Sequence, residues 1–144
     1  MKKKKILIVD DDKDLLKTLT GILETEGYEV NTAETGKEAI DKCKDQFYNL
    51  ALLDIKLPDM EGTELLKLID GHLPPTVKVI VTGYPSMENA IRSVNLKADA
   101  YIVKPIKAQE LLKTIKEKLD EQSETDQMIE DKIAKFIKTR GDQL

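Results

Sequence analysis

The sequence predicts an α/β domain in which helices cover both faces of a parallel sheet of five strands. Three observations support this class. Apolar strand-like runs alternate with amphipathic helical segments, glycine or proline separates them, and 144 residues with 40% hydrophobic content suit one domain with a substantial core. Because strands and helices strictly alternate, we expect right-handed crossovers between parallel strands.

The first three strand and helix units occupy the N-terminal half of the chain. Strands are predicted over residues 6–9, 29–33 and 50–53, and the apolar run of the third is typical of a strand buried on both faces. A helix near residues 36–46 follows the second strand. Apolar residues at helical spacing indicate the helices after the first and third strands, namely Leu15, Leu16, Leu19, Ile22 and Leu23, and then Leu65, Leu66 and Ile69.

The last two units complete the alternation. Strands are predicted over residues 77–81 and 100–103. The apolar positions of the helices that follow them are Met87, Ala90, Ile91 and Val94, and then Leu111, Leu112, Ile115 and Leu119. Since all five strands are parallel, their carboxyl ends share one edge of the sheet, where open α/β sheets bind ligands.

Composition excludes several classes of protein. A formal charge of −4 and a pI near 5.2 argue against a general nucleic-acid surface, and the basic run Lys2–Lys5 is interpreted as a solubilising flank of the first strand. The single cysteine rules out an internal disulfide and a cysteine-built zinc site. No apolar segment approaches the roughly 20 residues of a membrane span. We therefore expect a soluble cytoplasmic protein without membrane or direct nucleic-acid contacts.

Polar side chains follow four of the five predicted strands. In strand order they are Asp10, Asp11 and Asp12, then Asp54, then Thr82, and then Lys104 with Pro105. Carboxylates, a hydroxyl and a cation are therefore expected in one crevice. Each of these residues alone has an ordinary structural interpretation, as a solvated turn, a strand-end hydroxyl or a loop lysine. Their joint position at successive strand ends favours a site.

The residue types in this crevice indicate phosphoryl chemistry. Clustered carboxylates repel one another, so their pKa values rise or a cation binds between them. Oxygen ligands without histidine or thiolate favour Mg²⁺, or Mn²⁺. A lysine ammonium and a threonine hydroxyl would hold the oxygens of a phosphoryl group. The pattern thus predicts an aspartate that becomes phosphorylated, with its carboxylate as the nucleophile and a metal offsetting the charge.

Four short stretches share the spacing of a known signalling family. They are ILIVDD at residues 6–11, DIKLPDMEG at 54–62, TGY at 82–84 and YIVKP at 101–105. Together they resemble the receiver domain of two-component response regulators, over about residues 4–120. The resemblance implies a flavodoxin-like doubly wound sheet with strand order 2-1-3-4-5. It also implies a signalling phosphoacceptor that catalyses its own phosphorylation and dephosphorylation, and not an enzyme acting on a separate substrate.

The resemblance implies a role for each acidic residue of the crevice. Asp54 is similar to the phosphoacceptor, which is also a metal ligand, and Asp11 to the carboxylate that binds Mg²⁺ directly. Asp10 is similar to the acid that acts through a metal-bound water. Lys56 would contribute its backbone carbonyl to the metal. Asp12 lies outside this set, either as a bystander or as a residue that tunes metal affinity.

The resemblance also implies a switch. Lys104 would pair with the phosphoryl group, and its peptide bond to Pro105 would be cis. A dianionic group at Asp54 would attract the Thr82 hydroxyl, and Tyr101 would rotate into the space left behind. This motion would remodel the face made by the fourth helix, fifth strand and fifth helix. The alternative is that Tyr101 is an ordinary half-buried strand residue.

The implied partners are a sensor histidine kinase or a phosphotransfer protein as donor, and a downstream output domain or protein. His72 is interpreted as a surface loop residue because no kinase motif surrounds it, so the donor is expected on a separate protein. A homodimer through the fourth-helix, fifth-strand and fifth-helix face, or through the C-terminal helix, is a further hypothesis.

Two other functions fit part of the pattern. The run from Asp10 to Asp12 is also similar to the start of haloacid-type phosphatases, but the fifth position of that motif is Asp14 here, where threonine or valine is normal. No acidic pair follows Lys104 at another strand end. A receiver-like adaptor that binds partners without phosphorylation is the second alternative. Hydrolysis of free phosphomonoesters would favour the phosphatase, and absence of label at Asp54 the adaptor.

The resemblance ends near residue 120, which divides the chain into a receiver domain, 1–121, and a helical extension, 122–144, interpreted as a linker or dimerisation segment. In one arrangement Ser123 caps a new helix with an apolar stripe. In the other the fifth helix continues, with polar breaks at Gln122 and Asp126. Either way the stripe needs a partner; its members are Ile129, Ile133, Phe136 and Ile137.

Overall fold

The computed structural model describes residues 2–69 and 75–142, with side chains as far as residue 138, so the loop prediction for His72 lies outside the described residues. Within these ranges five strands and five helices alternate. The strands are β1 (Lys5–Val9), β2 (Glu29–Ala33), β3 (Leu50–Asp54), β4 (Val77–Thr82) and β5 (Ala100–Val103). The helices are α1 (Lys13–Thr25), α2 (Gly36–Asp45), α3 (Gly62–Leu68), α4 (Met87–Asn95) and α5 (Ala108–Asp142).

The five strands form one parallel sheet in the order β2-β1-β3-β4-β5, which confirms the predicted topology. The register aligns the carboxyl ends of the central strands. Val9 lies opposite Leu53, and Asp54 lies opposite Val81. Because β3 and β4 each extend one residue beyond the predicted run, Asp54 and Thr82 are the last residues of their strands.

The core has two parts, one on each face of the sheet. Alternate residues of β1, β3 and β4 point to opposite faces, so these strands are buried on both sides. This explains why their sequences are almost continuously apolar. One face packs against α1 and α5 through Leu16, Leu19, Leu23, Leu111, Ile115 and Leu119. The other packs against α2 and α3 through Ala39, Leu65 and Leu66.

The fifth helix is continuous from Ala108 to Asp142, so no separate helix begins at Ser123. Gln122, expected as a polar break, is 5% exposed. Its side-chain amide donates to the backbone carbonyls of Asn49 at 2.8 Å and Pro75 at 3.1 Å. Beyond this anchor the helix leaves the domain, and four large apolar side chains are 51–65% exposed, namely Met128, Ile133, Phe136 and Ile137. The division at residue 121 stays a prediction.

Among the described residues, no helix combines the length and the apolar character that crossing a membrane requires.

Candidate functional site

The predicted acidic cluster forms at the carboxyl edge of the sheet. Asp10 and Asp11 follow β1, and Asp54 ends β3. One carboxylate oxygen from each of the three lies within 4.8 Å of the others. Asp10 and Asp54 are only 4% and 7% exposed, whereas Asp11 is exposed. The crevice therefore has a buried floor and one carboxylate at its mouth.

Lys104 brings a cation into this crevice from the loop after β5. Its Nζ lies 2.8 Å from Asp10 Oδ2 and 3.6 Å from Asp54 Oδ2. The backbone N–H of Lys104 donates to the carbonyl of Thr82 at 2.8 Å, which aligns the loop with the end of β4. The peptide bond between Lys104 and Pro105 is cis. One ammonium group thus faces two of the three carboxylates.

The electrostatics of the crevice follow from burial and from these contacts. Burial raises the pKa of Asp54, and Asp10 beside it raises it further, whereas Lys104 and a hydrogen bond from the Lys56 N–H lower it; the net direction is upward. Burial lowers the pKa of Lys104, but its hydrogen bond and ion pair with Asp10 outweigh that effect, so the pKa of Lys104 is raised. A single lysine does not fully offset the buried acids.

Asp12 has a structural role that the sequence left open. Its Oδ1 accepts hydrogen bonds from the backbone N–H groups of Asp14 and Leu15, both at 3.1 Å, at the start of α1. Asp12 is therefore the N-cap of that helix and is not part of the three-carboxylate cluster. The signal was present in the sequence, since an aspartate directly before a helix is a preferred cap.

The loop between β3 and α3 is tightly closed behind the cluster. Lys56 and Glu61 form an isolated antiparallel bridge, and the Gly62 N–H donates to the carbonyl of Ile55 at 2.6 Å. A Cβ at Gly62 would overlap the backbone carbonyl oxygen of Asp54. Only glycine permits this approach of α3 to the end of β3. Sequence spacing placed Gly62 in a motif, but the contact itself depends on the tertiary structure.

The two residues expected to switch lie beside the crevice. Thr82 is fully buried, and its Oγ1 accepts a hydrogen bond from the Tyr84 N–H at 2.9 Å. Tyr101 is half-buried, and its hydroxyl is enclosed without a hydrogen-bond partner among the described residues. The Nζ of Lys56 lies 4.4 Å from the centre of the Tyr84 ring, a cation–π contact between the β3–α3 and β4–α4 loops.

Comparison with known proteins identifies the family. The sequence model of the response regulator receiver domain family matches residues 6–116 of this chain. The chain belongs to the response regulator receiver domain family. The resemblance seen in the sequence is thereby confirmed.

Relatives of this receiver domain agree with the assignment. The cell cycle response regulator CtrA of Brucella ovis is 32% identical over 111 residues, which cover 77% of this chain and 48% of that protein. The chain thus spans about half the length of the curated relatives it matches. A CheY-like receiver domain from Methanospirillum hungatei is 54% identical, with a TM-score of 0.82 over 85% of this chain and 98% of that chain.

A further similar structure contains a modified aspartate. It is a response regulator from Burkholderia pseudomallei with a phosphorylated aspartic acid, a calcium ion and citrate. It is 28% identical to this receiver domain, with a TM-score of 0.75, over 85% of this chain and 72% of that chain.

The donor set of the receiver domain fits a hard divalent cation. Asp10, Asp11 and Asp54 supply only oxygen atoms, and among the described residues no histidine or cysteine belongs to the group. Carboxylate oxygens together with water are the ligands that Mg²⁺ and Ca²⁺ prefer. A bound cation would also compensate the acidic charge that Lys104 leaves unbalanced.

The receiver domain also exposes an apolar surface on α4 and β5. Its large side chains are 47–77% exposed and comprise Met87, Ile91, Val94 and Val103. The surface is adjacent to the crevice because α4 follows the β4 end that carries Thr82. Met87, Ile91 and Val94 are spaced by four and three residues, so they share one face of α4. Exposed apolar side chains grouped on one face are typical of partner-binding surfaces.

Proposed function

We propose that this receiver domain accepts a phosphoryl group on Asp54 from a phosphohistidine donor, in a reaction that requires Mg²⁺ or Mn²⁺. The observation that carries the proposal is the joint geometry of three carboxylates within 4.8 Å of one another and a lysine ammonium 2.8 Å from one of them. The phosphorylated aspartic acid in the similar Burkholderia pseudomallei structure supports it.

In the proposed step, a carboxylate oxygen of Asp54 forms a bond to phosphorus while the P–N bond of the donor breaks. The imidazole of the donor leaves with the electron pair and takes up a proton. The Lys104 ammonium moves from its present carboxylate partners to a phosphoryl oxygen, and the Thr82 hydroxyl donates to another. Attack of water on the resulting acyl phosphate returns Asp54 and inorganic phosphate, which ends the signal.

The metal would be held by Asp11 and Asp54, by the backbone carbonyl of Lys56, and by Asp10 through a water molecule. When bound, it would supply positive charge that offsets the clustered carboxylates and the phosphoryl oxygens. The contribution of Lys104 is complementary, because a lysine reaches the phosphoryl group as a point charge from the other side of the crevice.

Intact-mass spectrometry after incubation with acetyl phosphate tests the proposal. We expect the gain of one phosphoryl group with Mg²⁺ and no gain with EDTA. Asp54→Asn should show no gain. Asp12→Asn is the matched control, because it removes a carboxylate next to the cluster and retains an N-cap; it should be labelled like the unaltered chain. Absence of label on the folded, unaltered chain would overturn the proposal and favour the adaptor alternative.

We further propose that phosphorylation changes the α4–β5–α5 face through Thr82 and Tyr101. The Thr82 hydroxyl now binds its own turn, and the Tyr101 hydroxyl has no partner among the described residues, so both side chains have hydrogen-bonding capacity that a new phosphoryl group can redirect. The exposed apolar side chains of α4 and β5 would then meet an output domain or protein.

Amide hydrogen exchange of the peptides that contain α4 and β5 tests this switch. We expect phosphorylation to change their exchange in the unaltered chain and to leave it unchanged in Thr82→Ala, which should still be labelled. Thr76→Ala is the control, because Thr76 is also buried but binds the Tyr48 carbonyl near the opposite end of β4. An equal response of Thr82→Ala and the unaltered chain would contradict the switch.

The donor and the oligomeric state complete the proposal. A sensor histidine kinase would be the phosphoryl donor, directly or through a phosphotransfer protein. Because such a kinase uses ATP, we propose a cytoplasmic location for this chain.

A second copy of this chain would cover the exposed stripe of α5. The spacing that docks Ile115, Leu119 and Gln122 onto the domain continues at intervals of three and four residues through the polar break at Asp126. It then reaches Ile129, Ile133 and Phe136, which would form the seam of a coiled coil.

Sedimentation of the full chain tests the dimer. Ile133→Lys places a charge in the seam and should reduce the mass from dimer to monomer. Met128→Lys is the control, because Met128 is 59% exposed on the same helix but lies outside the seam. A monomeric unaltered chain, or the same mass for both variants, would contradict dimerisation through α5.

A further inference from the structure

The tip of the β3–α3 loop is fixed to the N-terminus of α2 by Asp59. Its Oδ1 accepts a hydrogen bond from the Gly36 N–H at 2.8 Å, and its Oδ2 accepts one from the Lys37 N–H at 3.0 Å. These are the first two residues of α2, whose N–H groups have no partner within the helix. Asp59 therefore caps a helix that lies 23 residues earlier in the chain.

Two features make this contact specific. Thr35 already caps α2 from its own side, through a hydrogen bond from the Glu38 N–H to Thr35 Oγ1, so Asp59 satisfies different N–H groups. The hydrogen bonds from the Gly36 and Lys37 N–H groups lower the pKa of Asp59, because they favour its charged carboxylate, which faces the positive end of the helix.

Packing strengthens the same contact. The Met60 side chain fills the space beside Gly36, where a Cβ would overlap the Met60 sulfur. Neighbouring residues of one loop thus contact the same end of α2, one through hydrogen bonds and one through van der Waals contact. The loop tip therefore has a fixed position relative to α2.

The base of the same loop lies at the acidic cluster. The Leu57 N–H donates to the Met60 carbonyl at 3.2 Å, and the backbones of Lys56 and Glu61 form the isolated antiparallel β-bridge. The loop is therefore short and closed. The Lys56 N–H also donates to Asp54 Oδ1 at 3.2 Å. A loop closed in this way transmits a displacement of its tip to the peptide groups at its base.

We propose that Asp59 is a positioning residue for the divalent cation site. By capping α2, it holds the loop whose base, at Lys56, is bonded to Asp54, and so fixes where the backbone carbonyl of Lys56 would meet the cation. Asp59 itself does not touch the cation. This inference rests on the proposed function, because the carbonyl of Lys56 is a ligand only in that proposal.

Titration calorimetry of the unphosphorylated chain with Mg²⁺ tests the inference, with acetyl phosphate labelling as a second readout. We expect Asp59→Ala to weaken Mg²⁺ binding by roughly tenfold, as loss of residues that support metal ligands commonly does. Labelling by acetyl phosphate should then need about tenfold more Mg²⁺ and reach nearly the same rate at saturation. Asp59→Asn retains one acceptor oxygen, so its Mg²⁺ affinity should lie between those of Asp59→Ala and the unaltered chain.

Thr35→Ala is the matched control, because it removes the other cap of α2 and leaves the loop contact in place. It should lower the stability of the chain without changing Mg²⁺ affinity. Equal Mg²⁺ affinity in Asp59→Ala and the unaltered chain would overturn the positioning role of Asp59 and leave the proposed function intact. An equal loss in Thr35→Ala would do the same, because it would assign the effect to α2 stability. An unaltered chain that neither binds Mg²⁺ nor gains a phosphoryl group would instead refute the proposed function.

Discussion

The two halves of the carboxyl edge of the sheet differ in how far their residues are buried. The first half is β3 with the β3–α3 loop, and the second half is β5 with α4. In the first half, all residues of β3 are buried, and the following loop is fixed by Gly62 against Asp54 and by Asp59 against α2. In the second half, Ser93 is the buried residue of α4, and the residues of β5 are half-buried or exposed.

This difference in burial separates the carboxylates of the proposed phosphoryl chemistry from the surface that is proposed to respond to it. In the proposed function Asp10, Asp11 and Asp54 would need fixed positions, because metal affinity and phosphoryl transfer depend on geometry. In the proposed switch the α4 and β5 surface would change shape, and segments with few buried contacts open or shift at low free-energy cost. A phosphoryl group at Asp54 would therefore change the second half and leave the first half in place.

The largest expected difference between the halves comes from truncating one apolar side chain in each. Leu53 is fully buried in β3, so Leu53→Ala should reduce the free energy of unfolding by about 2–5 kcal/mol. Ile91→Ala, in α4 at a position that is 53% exposed, should change it by less than about 0.5 kcal/mol. Urea unfolding of both variants measures the contrast. Similar losses would show that α4 is held as firmly as β3.

The next effect concerns the loop contact behind Asp54. Gly62→Ala should reduce the free energy of unfolding by about 1–3 kcal/mol, because the new methyl group displaces backbone rather than a mobile side chain. Gly21→Ala in α1 is the control. Among the described residues, no atom beyond its chain neighbours and the adjacent backbone of α1 lies within 4 Å of a Cβ there, so alanine should stabilise the helix by about 0.5–1 kcal/mol. A neutral Gly62→Ala would mean that the first half is less rigid than its packing indicates.

A smaller effect of opposite sign is expected for charge removal at Asp54. In EDTA at neutral pH, Asp54→Asn should raise the free energy of unfolding by on the order of 1 kcal/mol, because it removes one buried carboxylate from the cluster. Asp12→Asn should change it little. Thermal unfolding in EDTA and in Mg²⁺ measures both, and a Mg²⁺-stabilised chain that Asp54→Asn destabilises in EDTA would contradict the charge argument.

The pH dependence of this gain has a definite sign. The pKa of Asp54 in the folded state lies above its ordinary value of 3.8, so the folded state binds the proton more tightly. The cost of ionising Asp54 is absent below pH 3.8 and appears as the pH rises through the folded pKa. The stabilisation by Asp54→Asn should therefore vanish in acid and be complete at neutral pH.

The smallest effect is expected where an exposed ion pair joins the two halves. Arg92 of α4 lies 3.1 Å from Glu61 of the β3–α3 loop, and the two side chains are 47% and 58% exposed. Because water screens such a pair, Arg92→Ala should reduce the free energy of unfolding by less than about 0.5 kcal/mol. Lys116→Ala, which breaks an exposed pair with Asp120 in α5, is the control. A loss above 1 kcal/mol only for Arg92→Ala would show that the halves are coupled through this pair.

Most of the fold was predictable because its signals are local. Apolar runs, helical spacing and breakers located all five strands within one or two residues, and the strict alternation of strands and helices predicted a parallel sheet. The motif residues at the strand ends were found by the same means. The course of α5 was not decided, because Gln122 reads as a polar break until its amide is seen to bind the carbonyls of Asn49 and Pro75.

The sequence by itself determined the α/β class, the order of the elements and the chemistry of the strand ends, since these depend on residue type and spacing along the chain. Only the tertiary structure decided which atoms meet. It showed that Lys104 faces Asp10 and Asp54, that Asp12 caps α1, and that Asp59 caps α2. The physical reason is that hydrogen bonds and ion pairs act over about 3 Å, and the chain brings distant residues to that distance only after the sheet has formed.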